Sequence, residues 1–370
     1  MEELVRFSLA GPRQQVAIAT LVREKPLNSL LLETIDQLAE KINAWLTDDS
    51  IACIVLDSSS ERAFCAGADI TVMYRAIREA NGGNSPYAET FFLNEYKLDY
   101  ALHTATKPIV VWGNGIVIGG GLGLLGGCSH RIGTPTTRVA MPEITIGLFP
   151  DAGGTKFLSS MPDHLGLFMG LSGIHLSAGD GLELDLLDVI VEPGKKNEIF
   201  ESLASLPWGS DEQENHRLVT ALLEQHRASE KVPMNLIPDR GRVSELMQSC
   251  LEADSFFTVF DSTAAFGDDK LDKAMTTYRK GSPTTARIFV EQMRRAKGMS
   301  LADMFRMELV IAYQCIRHAD FLEGVRALLI DKDRNPKWTY KSALDVPDSH
   351  VEEHFAPAWS GAHPLATLGT

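Results

Sequence analysis

Two carboxylates, Glu143 and Asp151, flank an apolar run in AMPEITIGLFPDAGG, residues Ala140–Gly154. Gly147 and Pro150 break that run, so the chain must fold back and both acids can face one cavity. Paired carboxylates divide acid and base roles when their surroundings push their pKa values apart. A surface or helix-capping acid is the competing reading, strongest for Asp151, because AGGTKFL after it can begin a helix. Upstream lie two glycine-containing turns, FCAGAD at Phe64–Asp69 and IGGGLG at Ile118–Gly123, each able to aim a backbone N–H at one oxygen. An acyl carbonyl under attack gathers negative charge on oxygen, and two fixed amides stabilise it without having to move. At Gly119–Gly121 no Cβ blocks a ligand, which makes the Gly120 N–H a candidate donor. The combination suggests acyl chemistry, against the plainer reading that these glycines only permit tight packing.

Other signals are weaker. Gly121, Gly123 and Gly126 spell GxGxxG after a strand, with Glu143 twenty residues past Gly123, as a dinucleotide site would ask. The Gly126–Gly127 pair then leaves little room for the long helix such a site needs, so a nucleotide-dependent oxidoreductase ranks below acyl chemistry. Cys65 beside FCAGAD has no histidine near it in sequence and reads as a small buried thiol. Ten histidines include no HExxH and no close ligand spacing, so no metal site is expected, and no nucleophile-elbow serine stands out. Glu95, in FFLNEYKLDY, falls on an amphipathic helix with the aromatics expected on the opposite side, and spacing gives it no special claim.

Composition sets the outer limits. Thirty-five basic against 49 acidic residues give a formal charge of −14, which repels a polyanionic backbone and argues against nucleic acid. A small anionic ligand is still compatible, since a few local cations outweigh a distant screened field. Hydrophobic content of 44% is ordinary for a globular chain, and no apolar run approaches the roughly 20 residues of a membrane span. Five scattered cysteines (53, 65, 128, 250 and 315) without a CxxC pair imply a reducing compartment. Met1–Ala10 lacks the basic start and long apolar centre of a secretory signal and the Arg-rich character of a transit peptide, so a cytoplasmic location is expected.

The elements that must position these residues begin as β-α-β: Gln15–Val22 and Ile51–Leu56 are short β-branched runs, and Leu30–Asp49 between them has helical spacing. Pro108–Trp112 adds another buried strand, and Arg138–Ile146 is extended or turning. A mostly parallel α/β core is therefore expected over 1–197, with a seam at Lys195–Asn197. Glu212–His226, Arg242–Ala253 and Leu301–His318 are charged, Leu/Met-rich and strand-poor, which predicts an α-helical region over 198–345. The remainder, 346–370, is expected to be a C-terminal tail, of which Pro357–Thr370, rich in Pro, Gly and Ala, reads as loosely held. No internal sequence repeat is found.

With these residues in view, the chain resembles the crotonase (enoyl-CoA hydratase/isomerase) superfamily, and within it a branch of thioester hydrolases. The likeness runs from REKPLNSL (Arg23–Leu30) through FCAGADI, FFLNEY, IGGGLG and MPEITIGLFPDAGGTKFL to SPTT (Ser282–Thr285) and DFLEGVRALLIDKDRNPKW (Asp320–Trp338). It implies an α/β spiral of repeated ββα units with helices at its C-terminal side, no separate cofactor, and an acyl-CoA substrate. It implies oxyanion donors at the Ala68 and Gly120 amides and substrate contacts at Glu95, Gly120, Glu143 and Asp151. The implied reaction is hydrolysis of 3-hydroxyisobutyryl-CoA to 3-hydroxyisobutyrate and coenzyme A, a step of valine breakdown. Hydratases of the superfamily carry a second glutamate where this chain has Gly123 and a glycine where it has Asp151, and both differences point to hydrolysis. A hydratase or isomerase, and a catalytically silent acyl-CoA-binding protein, are the alternatives. Arg23, Lys25, Ala66, Asp69, Lys332 and Lys337 are candidates to hold the coenzyme A moiety. Relatives often form homo-oligomers, which makes one possible here.

Overall fold

The β-branched runs do become strands in the computed structural model, which describes residues 3–80, 84–229 and 232–370. The strands are β1 (Val5–Ala10), β2 (Val16–Leu21), β3 (Cys53–Ser58), β4 (Ala63–Cys65), β5 (Ile109–Gly113), β6 (Ile116–Ile118), β7 (His130–Gly133), β8 (Arg138–Ala140), β9 (Leu176–Ser177) and β10 (Val189–Ile190). β1 went unread because VRFSLA carries polar Arg6 and Ser8 and is buried mainly at Val5; pairing supplies what its composition does not, antiparallel to β2 from Val5↔Leu21 to Ala10↔Val16. Of Met1–Ala10, residues 1–2 lie outside the described residues.

Six strands form one sheet in the order β1-β2-β3-β5-β7-β10, and four form another, β4-β6-β8-β9. From β2 to β10 the six-stranded sheet is parallel, as fully buried Val/Ile runs such as Ile109–Gly113 demand. Three successive strand pairs, β3–β4, β5–β6 and β7–β8, each send the first strand to the larger sheet and the second to the smaller. A helical segment follows each pair: Ile70–Glu79, Gly120–Gly126 and the 3-10 turn Glu143–Ile146. The repeat is one of elements without a repeat of residues, since strands of three residues carry too little pattern to be matched by eye.

Contacts divide into two units. One comprises Met1–Ala68, Lys97–Val139 and Leu176–Met234; the other comprises Asp69–Tyr96, Ala140–His175 and Asn235–Thr370. The first holds both sheets and a core in which Val55, Val110, Trp112 and Ile132 pack with Ile199 and Leu203 of helix Lys196–Ser205 and Val219 of helix Glu212–Gln225. Each such side chain, fully buried, contributes roughly 1.5–3 kcal/mol. Lys195–Asn197 falls within this unit, where Lys196 pairs with Asp57 at 2.6 Å, so the contacts do not part at the expected seam.

The second unit is built mainly of helices, including Arg240–Glu252, Pro283–Arg295 and Leu301–Cys315. Helix Leu165–Ser172 is buried on every side, and a Cβ on its Gly170 would stand 2.2 Å from the Phe289 ring. The expectation of a loosely held tail is overturned here. Leu365 is completely buried, and the Arg306 guanidinium donates to the carbonyls of Leu365 (3.1 Å), Ala366 (3.1 Å) and Leu368 (2.5 Å). Composition misled because backbone carbonyls, which carry no residue identity, make the attachment.

Candidate active site

In the first unit, the REKPLNSL bend is tied to the FCAGAD turn along its length. Leu30 N–H donates to Gly67 O at 2.8 Å, Ala66 N–H to Leu27 O at 3.0 Å, and the buried Asn28 amide to Phe64 O at 3.0 Å. Asn28 also donates to Ser58 Oγ at 2.7 Å, and sequence reasoning gave it no role because its partners lie about thirty residues away. The Cys65 thiol donates to Asn28 O at 3.2 Å and is wholly buried, the inert thiol expected.

IGGGLG abuts this turn, and its glycines have separable reasons. Gly119 takes φ +56°, and a Cβ on Gly121 would lie 2.2 Å from Cys65 O. Gly67, at φ +79°, approaches so closely that its Cβ would stand 3.1 Å from the Gly120 nitrogen. The Ala68 and Gly120 amides therefore come from adjoining turns, and among the described residues neither donates to an acceptor of the chain. The packing reading holds at Gly119 and Gly121, and the Gly120 amide is left without an acceptor among the described residues. The dinucleotide reading does not hold, because Gly121, Gly123 and Gly126 sit inside the seven-residue helix Gly120–Gly126 and form no loop ahead of a helix.

In the second unit, Glu143 opens the 3-10 turn Glu143–Ile146, which Gly147 closes at φ +70°. Its side chain is buried, and no hydrogen bond among the described residues reaches Oε2. Burial, then the neighbouring Asp151 charge, pushes its pKa well above the usual carboxylate range. Asp151 is buried too and accepts the Tyr96 hydroxyl on Oδ2 at 2.6 Å; burial raises its pKa and the Tyr96 hydrogen bond opposes that rise. The capping alternative for Asp151 fails. Helix Gly154–Ser160 starts after Gly153 with no side-chain cap of its own, and Glu308 serves it from a distance, accepting Gly153 N–H and Thr155 N–H at 2.9 Å each. Burial lifts Glu308 to about 7.

The two segments that carry the hydrolase likeness brace the Glu143 turn. Ser282 N–H donates to Ile144 O at 2.9 Å, and its hydroxyl donates to Asp320 Oδ2 at 2.7 Å. Asp320 Oδ1 accepts both the N–H and the hydroxyl of Thr339 at 2.8 Å. A Cβ on Gly147 would stand 2.4 Å from Asp320 O, and one on Gly324 would stand 2.5 Å from the Ile146 carbonyl carbon. Gln292 secures the other end, donating to Pro150 O at 2.9 Å and Thr155 Oγ1 at 2.7 Å.

Glu95 lies buried on helix Pro86–His103; burial first, then the charges of Asp151 and Glu308, raise the Tyr96 pKa, and the Glu95 charge adds to the rise. The aromatics expected opposite it are instead on its own side: Phe91 and Phe92 precede it by four and three residues and are buried with it. Tyr96 packs on Phe92 (5.9 Å between centroids) and Phe305 (6.0 Å), which fixes its hydroxyl toward Asp151.

Of the coenzyme A candidates, Arg23 is committed to the REKPLNSL bend through Ser29 O (3.0 Å) and Ser29 Oγ (2.9 Å). Lys25, Lys332 and Lys337 are exposed, and among the described residues no ion pair claims their ammonium groups. Lys332, at φ +58°, lies between Asp331 and Asp333, both held by Arg326. Ala66 is in the FCAGAD turn, and Asp69 caps helix Ile70–Glu79 by accepting Val72 N–H at 3.3 Å. The histidines that show no ligand spacing in sequence do gather in space, at His318, His350 and His354.

A family model described as enoyl-CoA hydratase/isomerase matches residues 16–355. The chain belongs to this crotonase family. It is 35% identical over 340 residues, 92% of this chain and 86% of the other, to the mitochondrial 3-hydroxyisobutyryl-CoA hydrolase of Gallus gallus. With the Homo sapiens protein of the same description it shares 32% over 338 residues, 91% of this chain and 85% of the other. Among solved structures it is similar to a carnitinyl-CoA dehydratase from Mycobacterium thermoresistibile (TM-score 0.85, 30% identity, 100% of this chain and 99% of that one). It is also similar to an enoyl-CoA hydratase from Rhodobacter sphaeroides 2.4.1 (TM-score 0.82, 25% identity, 96% and 98% covered). The crotonase fold, with two sheets and a helical C-terminal region, is thereby established, and this crotonase member is an acyl-CoA enzyme by family.

Proposed function

We propose that this crotonase-family chain hydrolyses a short 3-hydroxyacyl-CoA thioester, 3-hydroxyisobutyryl-CoA first among them, to the free acid and coenzyme A. The observation that carries the proposal is the buried Glu143, with a raised pKa and a buried aspartate beside it, while position 123 offers glycine and no second acid. The relatives described as 3-hydroxyisobutyryl-CoA hydrolases support the substrate.

In the proposed reaction the amides of Ala68 and Gly120 receive the thioester oxygen as it gains charge. Ionised Glu143 either attacks the acyl carbon or takes a proton from the attacking water, and its raised pKa makes it a better base than a solvated carboxylate. The C–S bond breaks, and coenzyme A leaves as a thiolate that takes up a proton; on the covalent route water then cleaves the Glu143–acyl anhydride, releasing the acid and restoring the carboxylate. Asp151 orients the water or the substrate's 3-hydroxyl, and Glu95 borders the acyl group. Lys25, Lys332 and Lys337, with Arg23, Ala66 and Asp69, meet the coenzyme A moiety.

A thiol-release panel over several acyl-CoAs, run beside crotonyl-CoA hydration, tests this. Fastest thiol release from 3-hydroxyisobutyryl-CoA, with negligible hydration of crotonyl-CoA, is expected. Hydration without thiol release would replace the proposal by the hydratase reading, which the descriptions of the two solved structures favour. Binding of acyl-CoA with neither activity would leave a silent binder.

A further inference from the structure

Three histidines that the acyl chemistry does not use converge in the second unit. His318 precedes helix Ala319–Val325, while His350 and His354 lie one turn apart at helix Asp348–Glu353, so the trio draws together segments more than thirty residues apart. One ligand atom from each ring falls within 4.8 Å of the other two.

We propose that His318, His350 and His354 form a site for a transition-metal dication, zinc foremost, that pins helix Asp348–Glu353 to the start of helix Ala319–Val325. Neutral imidazole suits zinc, and three protein nitrogens with water in the fourth position make a familiar tetrahedral set. The outer partners are those a metal site needs. His354 Nδ1 faces His350 O at 2.8 Å and His350 Nδ1 faces Glu353 Oε2 at 3.3 Å, which leaves the Nε2 atoms of these two rings for a metal. Asp320 is engaged by Ser282 and Thr339, so it does not compete as a ligand. His354 is buried while His318 and His350 are partly exposed, which leaves a route for an ion from solvent.

The ring arrangement states what binding must change. His318 and His354 stack with centroids 4.2 Å apart and planes at 28°, and His350 stands edge-on to both at 5.0 Å. Zinc–nitrogen bonds of about 2.0–2.1 Å need tetrahedral nitrogens roughly 3.3 Å apart, closer than the 4.8 Å within which the three ligand atoms lie, so the rings must draw together on binding.

The test is zinc titration of the full chain against a chromophoric chelator, with unfolding temperature followed in parallel. One zinc per chain and a raised unfolding temperature are expected. His318→Gln and His350→Gln, both at partly exposed positions, should abolish that uptake while their metal-free unfolding stays near that of the parent, and Glu353→Gln should weaken it about tenfold or more. Absence of stoichiometric uptake by the parent, or uptake that survives in both histidine variants, would overturn the assignment and leave the trio as aromatic packing.

Discussion

Glu143 owes its raised pKa to burial and to the charge of Asp151, and substitution separates the two causes. Asp151→Asn removes a like charge, so the Glu143 pKa falls and the acid limb of the pH profile of kcat/KM moves to lower pH. A limb that stays in place or moves upward would show that it does not report Glu143. Tyr96→Phe deprives buried Asp151 of its donor and should cost about 1–3 kcal/mol in urea unfolding; unchanged stability would mean that water replaces the hydroxyl. The acids were legible because proline and glycine punctuate the segment between them. Tyr96, Asn28 and Glu308 were not, because each acts on a partner far along the chain, and a buried tyrosine or glutamate in a helix looks like any other in sequence. The histidine trio escaped notice for the same reason.

At the scale of elements, closeness between turns is what the glycines supply. A Cβ at Gly121 would meet Cys65 O at 2.2 Å, so Gly121→Ala must push the FCAGAD and IGGGLG turns apart. Overpacking of this kind costs about 1–3 kcal/mol, and displaced amides should lower kcat more than they change KM. A variant with the parent's stability and kcat would contradict that geometry. Helix Gly154–Ser160 depends on Glu308, whose pKa of about 7 lies above its unfolded value. The folded state therefore holds a proton that the unfolded chain loses first, and this contribution to stability is full below about 4.5 and is lost as pH rises through about 7. Glu308→Gln should flatten the fall in unfolding free energy across that window, as denaturant titrations at several pH values would measure; an unaltered slope would assign the proton elsewhere. Long elements with clear periodicity, such as helices Leu32–Thr47 and Glu212–Gln225, were read nearly to their ends. Strands of two or three residues were not, because their pairing partners define them more than their own side chains do.

Over the whole molecule, the crotonase likeness spans nearly all of the chain, and both strand Val5–Ala10 and the segment around Leu365 take part in the structure. Leu365→Ala should cost about 2–5 kcal/mol, a loss that a dangling segment would not show, because the side chain is fully buried beside carbonyls held by Arg306. The ββα succession was accessible only through family resemblance, since its repeats share geometry and no residue pattern. Family membership also leaves the reaction open between hydrolysis and hydration, and the acid at 143 without an acid at 123 is what supports the proposed hydrolysis. The most direct measurement is thiol release from 3-hydroxyisobutyryl-CoA by the parent and by Glu143→Gln, with folding of the variant verified by its unfolding curve. The account predicts that the parent releases coenzyme A and that the folded variant does not. Near-normal turnover in the variant would contradict it.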